Sequence, residues 1–127
     1  MRRLTLLFFW VGALLTLTAG VALTDTTMTT GSGNDVLRAT SGPATLRAGA
    51  GNDALYGSGG ADRIYGGSGR DKIYAGAGRD IISGGPGGDT IYAKDGHLDI
   101  IDCGGGYDWV QHDVFDLVGG CEARFRF

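Results

Sequence analysis

From Ala48 to Tyr92 the chain repeats itself every nine residues without a gap. The five units read AGAGNDALY (48–56), GSGGADRIY (57–65), GGSGRDKIY (66–74), AGAGRDIIS (75–83) and GGPGGDTIY (84–92). An earlier copy starts at Thr30 (TGSGNDVLR), and a worn copy follows at Ala39 (ATSGPATLR). After Tyr92 the period slips. Ala93–Asp102 carries one extra residue, CGGGYDWVQ follows at Cys103, and a shorter copy ends near Val118. A fixed period of this length marks a solenoid, in which each unit buries its apolar side only by stacking on its neighbours.

Leu37, Leu46, Leu55, Ile64, Ile73, Ile82, Ile91, Ile101, Val110 and Val118 are the apolar anchors. One isolated aliphatic per nine residues is not helical spacing, which needs apolar residues at i, i+3 and i+4. Gly, with 25 residues of 127, is also a poor helix former. Each unit fits a Gly-rich turn followed by a three-residue strand with one inward side chain. Two units make an 18-residue coil, and stacked coils pair their strands in parallel, about 4.8 Å apart. The expected fold is all-β: a parallel β-roll, a β-solenoid of nonapeptide repeats.

The acidic residue two places before each anchor is Asp35, Ala44, Asp53, Asp62, Asp71, Asp80, Asp89, Asp99, Asp108 and Asp116, broken only at Ala44. The pattern G-G-x-G-x-D-x-U-x, with U a large aliphatic, resembles the RTX (haemolysin-type) calcium-binding repeat, from about Thr30 to Val118. GGSGRDKIY and GGPGGDTIY fit it at every defined position. The resemblance implies calcium ions held between turns, and the chemistry of the residues agrees. Calcium takes six to eight hard oxygen ligands, which glycine-rich turns supply as backbone carbonyls and aspartate supplies as carboxylate. The candidate site residues are Asp35, Asp53, Asp62, Asp71, Asp80, Asp89, Asp99 and Asp108, with Gly49, Gly51, Gly60, Gly67, Gly69, Gly76, Gly78, Gly85 and Gly87 in the turns. Turns of repeats two apart share an edge. One edge then carries Asp35, Asp53, Asp71, Asp89 and Asp108; the other carries Ala44, Asp62, Asp80 and Asp99. The gap between Ala44 and Asp62 lacks a carboxylate and is expected to be weak or empty. About three to six calcium ions follow from this count. The competing reading is an ion-free solenoid whose Asp residues only support turns by Asx hydrogen bonds.

Residues 1–22 differ from the rest. Arg2 and Arg3 precede an apolar run, Leu4–Leu17, and the small residues Gly20-Val21-Ala22 follow. This reads as a secretory signal peptide, with a retained membrane anchor as the alternative. Its removal leaves 9 basic against 14 acidic residues, a charge of −5. That charge disfavours nucleic acid and favours cations as partners. Residues 23–30 read as a Thr-rich linker, 31–118 as the RTX-type roll and 119–127 as a cap and tail. Export to an oxidising compartment makes a Cys103–Cys121 disulfide the default. Membrane contact is expected only if the leader is uncleaved.

Tyr56, Tyr74 and Tyr92 recur every 18 residues, as a strand-stabilising ladder or a face for a glycan or cell-surface partner. Asp95, Asp99 and Asp102 crowd at the inserted residue, as a solvated bend or an irregular cation site. His97 and His112 belong to no zinc or hydrolase motif, so no enzyme is expected. The reading is a secreted calcium-binding protein folded by its ions; the alternative is an extracellular adhesion module with purely structural calcium.

Overall fold

The computed structural model describes residues 3–7, 14–16 and 25–126. The chain winds between two parallel sheets. One contains, in spatial order, β1 (Arg3–Leu7), β3 (Asp25–Thr29), β5 (Ala44–Ala50), β7 (Arg63–Ser68), β9 (Ile81–Ser83), β11 (Ile100–Asp102) and β13 (Leu117–Gly119). The other runs β14 (Ala123–Arg126), β12 (Trp109–His112), β10 (Thr90–Tyr92), β8 (Lys72–Tyr74), β6 (Ala54–Tyr56), β4 (Val36–Arg38) and β2 (Leu14–Thr16). The molecule is the expected β-solenoid, with no helix among the described residues.

Each strand pairs with the strand two units on. Lys72, Ile73 and Tyr74 align with Thr90, Ile91 and Tyr92, 18 residues away. The aliphatic anchors therefore form two continuous columns. Leu37, Leu46, Leu55, Ile64, Ile73, Ile82, Ile91, Ile101 and Val110 are buried, and Val118 packs against them. Alternation along each short strand puts one side chain inside and its neighbours outside. The ten-residue unit at Ala93 does not break the stack. Ile82 still aligns with Ile101, because the extra residue is absorbed in the turn.

The N-terminal readings meet the structure unevenly. The proposed leader lies largely outside the described residues, although β1 and β2 fall within it and pair with β3 and β4. The Thr-rich stretch read as a linker contains β3, which pairs with β5. Its own alternation explains the strand: Thr26, Met28 and Thr30 are buried, and Met28 extends the apolar column.

On the second sheet the tyrosines form a ladder. Tyr56 and Tyr74 stack at 4.8 Å and 2°, and Tyr74 and Tyr92 at 4.7 Å and 7°. Arg38 lies 3.8 Å over Tyr56 at one end, and Trp109 meets Tyr92 edge-on at the other. The ring faces are turned on one another, so the ladder presents mainly edges. Its first effect is cohesion between coils.

Candidate metal sites between stacked turns

The turns between strands stack into two columns. The first edge consists of turns 30–35, 48–53, 66–71, 84–89 and 103–108. Within each gap the backbone of one turn abuts the next. The Gly67 and Gly69 carbonyl oxygens lie where a Cβ on Gly85 and Gly87 would stand, and those of Gly49 and Gly51 do the same at Gly67 and Gly69. A Cβ at Gly69 would strike the Gly51 carbonyl, and φ there is +114°, a region that favours glycine. The same row runs from Gly31 and Gly33 to Gly49 and Gly51, and from Gly85 and Gly87 to Gly104 and Gly106. Four gaps on the first edge are thus lined by backbone oxygen.

A carbonyl also enters each of two gaps from the opposite side. The place a Cβ would take on Gly66 lies 2.5 Å from Asp71 Oδ2 and 2.7 Å from the Gly84 carbonyl oxygen. At Gly84 the corresponding atoms are Asp89 Oδ2 and the Cys103 carbonyl oxygen. Carboxylate and carbonyl oxygens from successive coils therefore converge on one region.

The two oxygens of each aspartate have different fates. Oδ1 accepts a backbone N–H from the preceding coil: Asp71 from the Asp53 amide at 2.9 Å, Asp89 from Asp71 at 2.8 Å, Asp108 from Asp89 at 2.7 Å. On the second edge Asp80 accepts from Asp62 and Asp99 from Asp80, both at 2.8 Å. These bonds are the inter-coil analogue of an Asx turn. Oδ2 is another matter. In Asp53, Asp71, Asp80, Asp89, Asp99 and Asp108 this oxygen is buried and has no hydrogen-bond partner. A buried, unsatisfied carboxylate oxygen is costly unless something positive meets it.

Burial pushes the Asp71 carboxyl up to about 7, and the neighbouring Asp89 and Asp53 carboxylates push the same way. Burial is also the main cause at Asp80 (about 8), Asp89 (about 6) and Asp99 (about 7), and it raises Asp53, Asp62 and Asp108. Among the described residues no group of three or more His, Cys, Asp or Glu side chains converges as a metal cluster. A cation here takes its shell largely from carbonyls, with carboxylate charge added. Hard oxygen donors of this kind suit calcium.

A family model described as the RTX calcium-binding nonapeptide repeat matches the chain in four copies, over residues 29–64, 38–73, 56–91 and 74–110. The chain belongs to this family. No curated protein and no solved structure matches it. Calcium is accordingly the ion to which the RTX turns point.

The two edges differ in ways the sequence pattern hides. On the second edge the carbonyls of Ser58 and Gly60 abut Gly76 and Gly78, as in a regular RTX gap. Yet Asp62 Oδ2 accepts the Ser58 amide at 2.7 Å, and the Ser58 hydroxyl lies 3.5 Å away. Ser58 stands where the repeat has its second glycine, and it does not adopt positive φ. The Ala44 amide donates to Asp62 Oδ1, so both oxygens of this carboxylate are engaged. Farther along, Lys94 replaces the next second-place glycine. Asp95 Oδ2 accepts the Gly78 amide, and Asp113 Oδ2 accepts the amides of Asp95 and Gly96. Asp116 accepts from Asp99 and Asp113. The acidic bend is thus tied to backbone N–H groups, while Asp102 Oδ1 accepts the Gly104 amide at 3.1 Å.

Restoring the repeat at Ser58 offers a direct check. Ser58→Gly permits the positive-φ turn and removes the hydroxyl beside Asp62. Titration calorimetry is expected to show one additional calcium ion, or tighter binding of the weakest one. Unchanged binding would mean that Ser58 does not block this gap.

One residue not singled out as a site is Glu122. Its Oε2 accepts the Asp108 amide at 2.9 Å, the role that the next aspartate plays in inner coils. Nothing in a nine-residue register places a glutamate 14 residues on at that amide; the shortened last coil brings it there.

Proposed function

We propose that this chain is a secreted calcium-binding protein in which ions held between stacked turns drive the folding of the roll. The observation that carries this reading is the column of buried Oδ2 atoms facing carbonyl-lined gaps. The residues that would hold the ions on the first edge are Asp35, Asp53, Asp71 and Asp89, with the carbonyls of the paired turns. Bound calcium supplies positive charge for carboxylates that burial otherwise drives toward protonation. The chain's own contribution is geometric: glycines bring carbonyls close, and Oδ1–amide bonds aim each Oδ2. The disulfide accords with an oxidising compartment and hence with export. The reading assigns no catalytic role.

The test is calorimetric titration of the purified chain with calcium. About four ions are expected on the first edge, with affinity in the range of about 10⁻⁴–10⁻³ M typical of extracellular modules. Asp71→Ala is expected to weaken the sites on both sides of its turn, because it removes the gap-facing Oδ2 and the acceptor for the Asp53 amide. No heat and no bound calcium at millimolar concentrations would overturn the reading.

A further inference from the structure

The last carbonyl-lined gap of the first edge lies between turns 84–89 and 103–108, and its outer wall is built unlike the others. Elsewhere the turn closing a gap is held by the coil beyond it. Turn 66–71 is held by the Gly67 amide on the Gly84 carbonyl at 3.1 Å and the Gly69 amide on Pro86 at 3.0 Å. Turn 84–89 is held by the Gly84 amide on Asp102 at 2.9 Å and the Gly87 amide on Gly105 at 2.8 Å.

Turn 103–108 has only the short segment 119–122 above it. The Cys103 amide donates to Gly119 at 3.0 Å. The Gly104 amide turns back to Asp102, and among the described residues the Gly106 amide donates to no carbonyl of a further coil. At its far end the turn is held by Glu122 Oε2 on the Asp108 amide at 2.9 Å and by the Ala123 amide on the Asp108 carbonyl at 3.0 Å; at its Cys103 end stands the Cys103–Cys121 disulfide, with Cα atoms 5.2 Å apart. Cys103 is completely buried, and its carbonyl oxygen is the one that enters the gap beside Asp89 Oδ2.

We propose that the disulfide fixes the Cys103 carbonyl in this terminal gap, so that Cys121 is a positioning residue for the last calcium site of the edge. The inference rests on the calcium reading above. A donor already held where the ion needs it does not have to be ordered on binding, and this preorganisation raises affinity. Without the bond, the end coil frays and the Cys103 carbonyl is lost from one site while the inner gaps keep their support. Reduction by a dithiol would have this effect. The reductant gives two electrons and two protons, the S–S bond becomes two thiols, and the dithiol closes to its cyclic disulfide.

The experiment is calcium calorimetry on four proteins: wild type, Cys103→Ser with Cys121→Ser, Asp89→Ala, and the three changes combined. The serine pair is expected to weaken one ion at least about tenfold and to leave the remaining ions as in the wild type. Asp89→Ala is expected to weaken the ions on both sides of its turn, and the combined protein to lose those same two ions and no further one, which a general loss of stability would not produce. The wild type measured before and after dithiothreitol repeats the comparison without a substitution and covers a serine pair that folds poorly. Equal binding in oxidised and reduced protein overturns the proposal. Weakening of every ion together also overturns it, because the bond would then hold the whole roll rather than one site. A wild type that binds no calcium removes the underlying reading as well, and so separates the two failures.

Discussion

Chelating calcium at neutral pH is expected to abolish most of the β-structure of this protein, and adding calcium back to restore it. The reason lies in what the roll is made of. Each nine-residue unit buries one sizeable aliphatic side chain, while its turn is rich in glycine, whose backbone is the most costly to order. Against that thin core stand columns of buried aspartates in successive coils, with Asp71 flanked by Asp53 and Asp89. The ion pair of His97 with Asp95 at 3.2 Å lies off these columns. Anything that binds only the folded form shifts the folding equilibrium toward it, and a roll whose sites exist only when turns are stacked is such a case. Far-UV circular dichroism in excess chelator and then in millimolar calcium reads the change directly. Identical strong β-spectra in both conditions would show that the fold stands without its ions.

Much of this arrangement was legible in the sequence because a solenoid repeats its physics with its residues. The spacing of Leu55, Ile73 and Ile91 fixes both the coil length and the parallel register. Position within the nonapeptide sorts Asp53, Asp71 and Asp89 onto one edge and Asp62 and Asp80 onto the other. Cys103 and Cys121, 18 residues apart, fall one coil apart and are bonded. What escaped lies where the period lapses. The strand at Asp25–Thr29 has no turn motif, only an alternation of Thr26, Met28 and Thr30 too short to separate from a linker. The engagement of Asp62 by Ser58 depends on a backbone angle rather than on residue type. Asp113 and Glu122 act as acceptors for the last turns because those coils are irregular, and no register points to them, whereas Asp116, which the register does give, accepts the Asp99 amide. Repeats announce their interiors; their ends are settled by local geometry.

The calcium-free protein is expected to regain structure on acidification, opposite to the acid denaturation of most folded proteins. In the fold, burial raises the carboxyls of Asp89 to about 6, Asp71 and Asp99 to about 7 and Asp80 to about 8, from an ordinary 3.8. Between the ordinary value and these raised values, the folded chain binds protons that the unfolded chain has released. Stability therefore falls as pH rises through this window and is recovered as pH is lowered. Near pH 4 the buried carboxyls are neutral in the fold and their mutual repulsion is gone; above about pH 8 the full penalty applies. Protons and calcium thus compete for the same oxygens, so calcium affinity is expected to fall as pH drops below about 7. Circular dichroism of chelated protein between pH 8 and pH 4.5 is expected to show β-signal growing toward the acid side. Asp71→Asn together with Asp80→Asn supplies an independent check at neutral pH. Each asparagine keeps the Oδ1 acceptor for the preceding coil's amide and removes the charge. The double variant is expected to retain more structure in chelator than the wild type while gaining less from added calcium. A chelated wild type that loses structure on acidification, or a double variant less ordered than wild type without calcium, would show that carboxylate charge is not what opposes the ion-free fold.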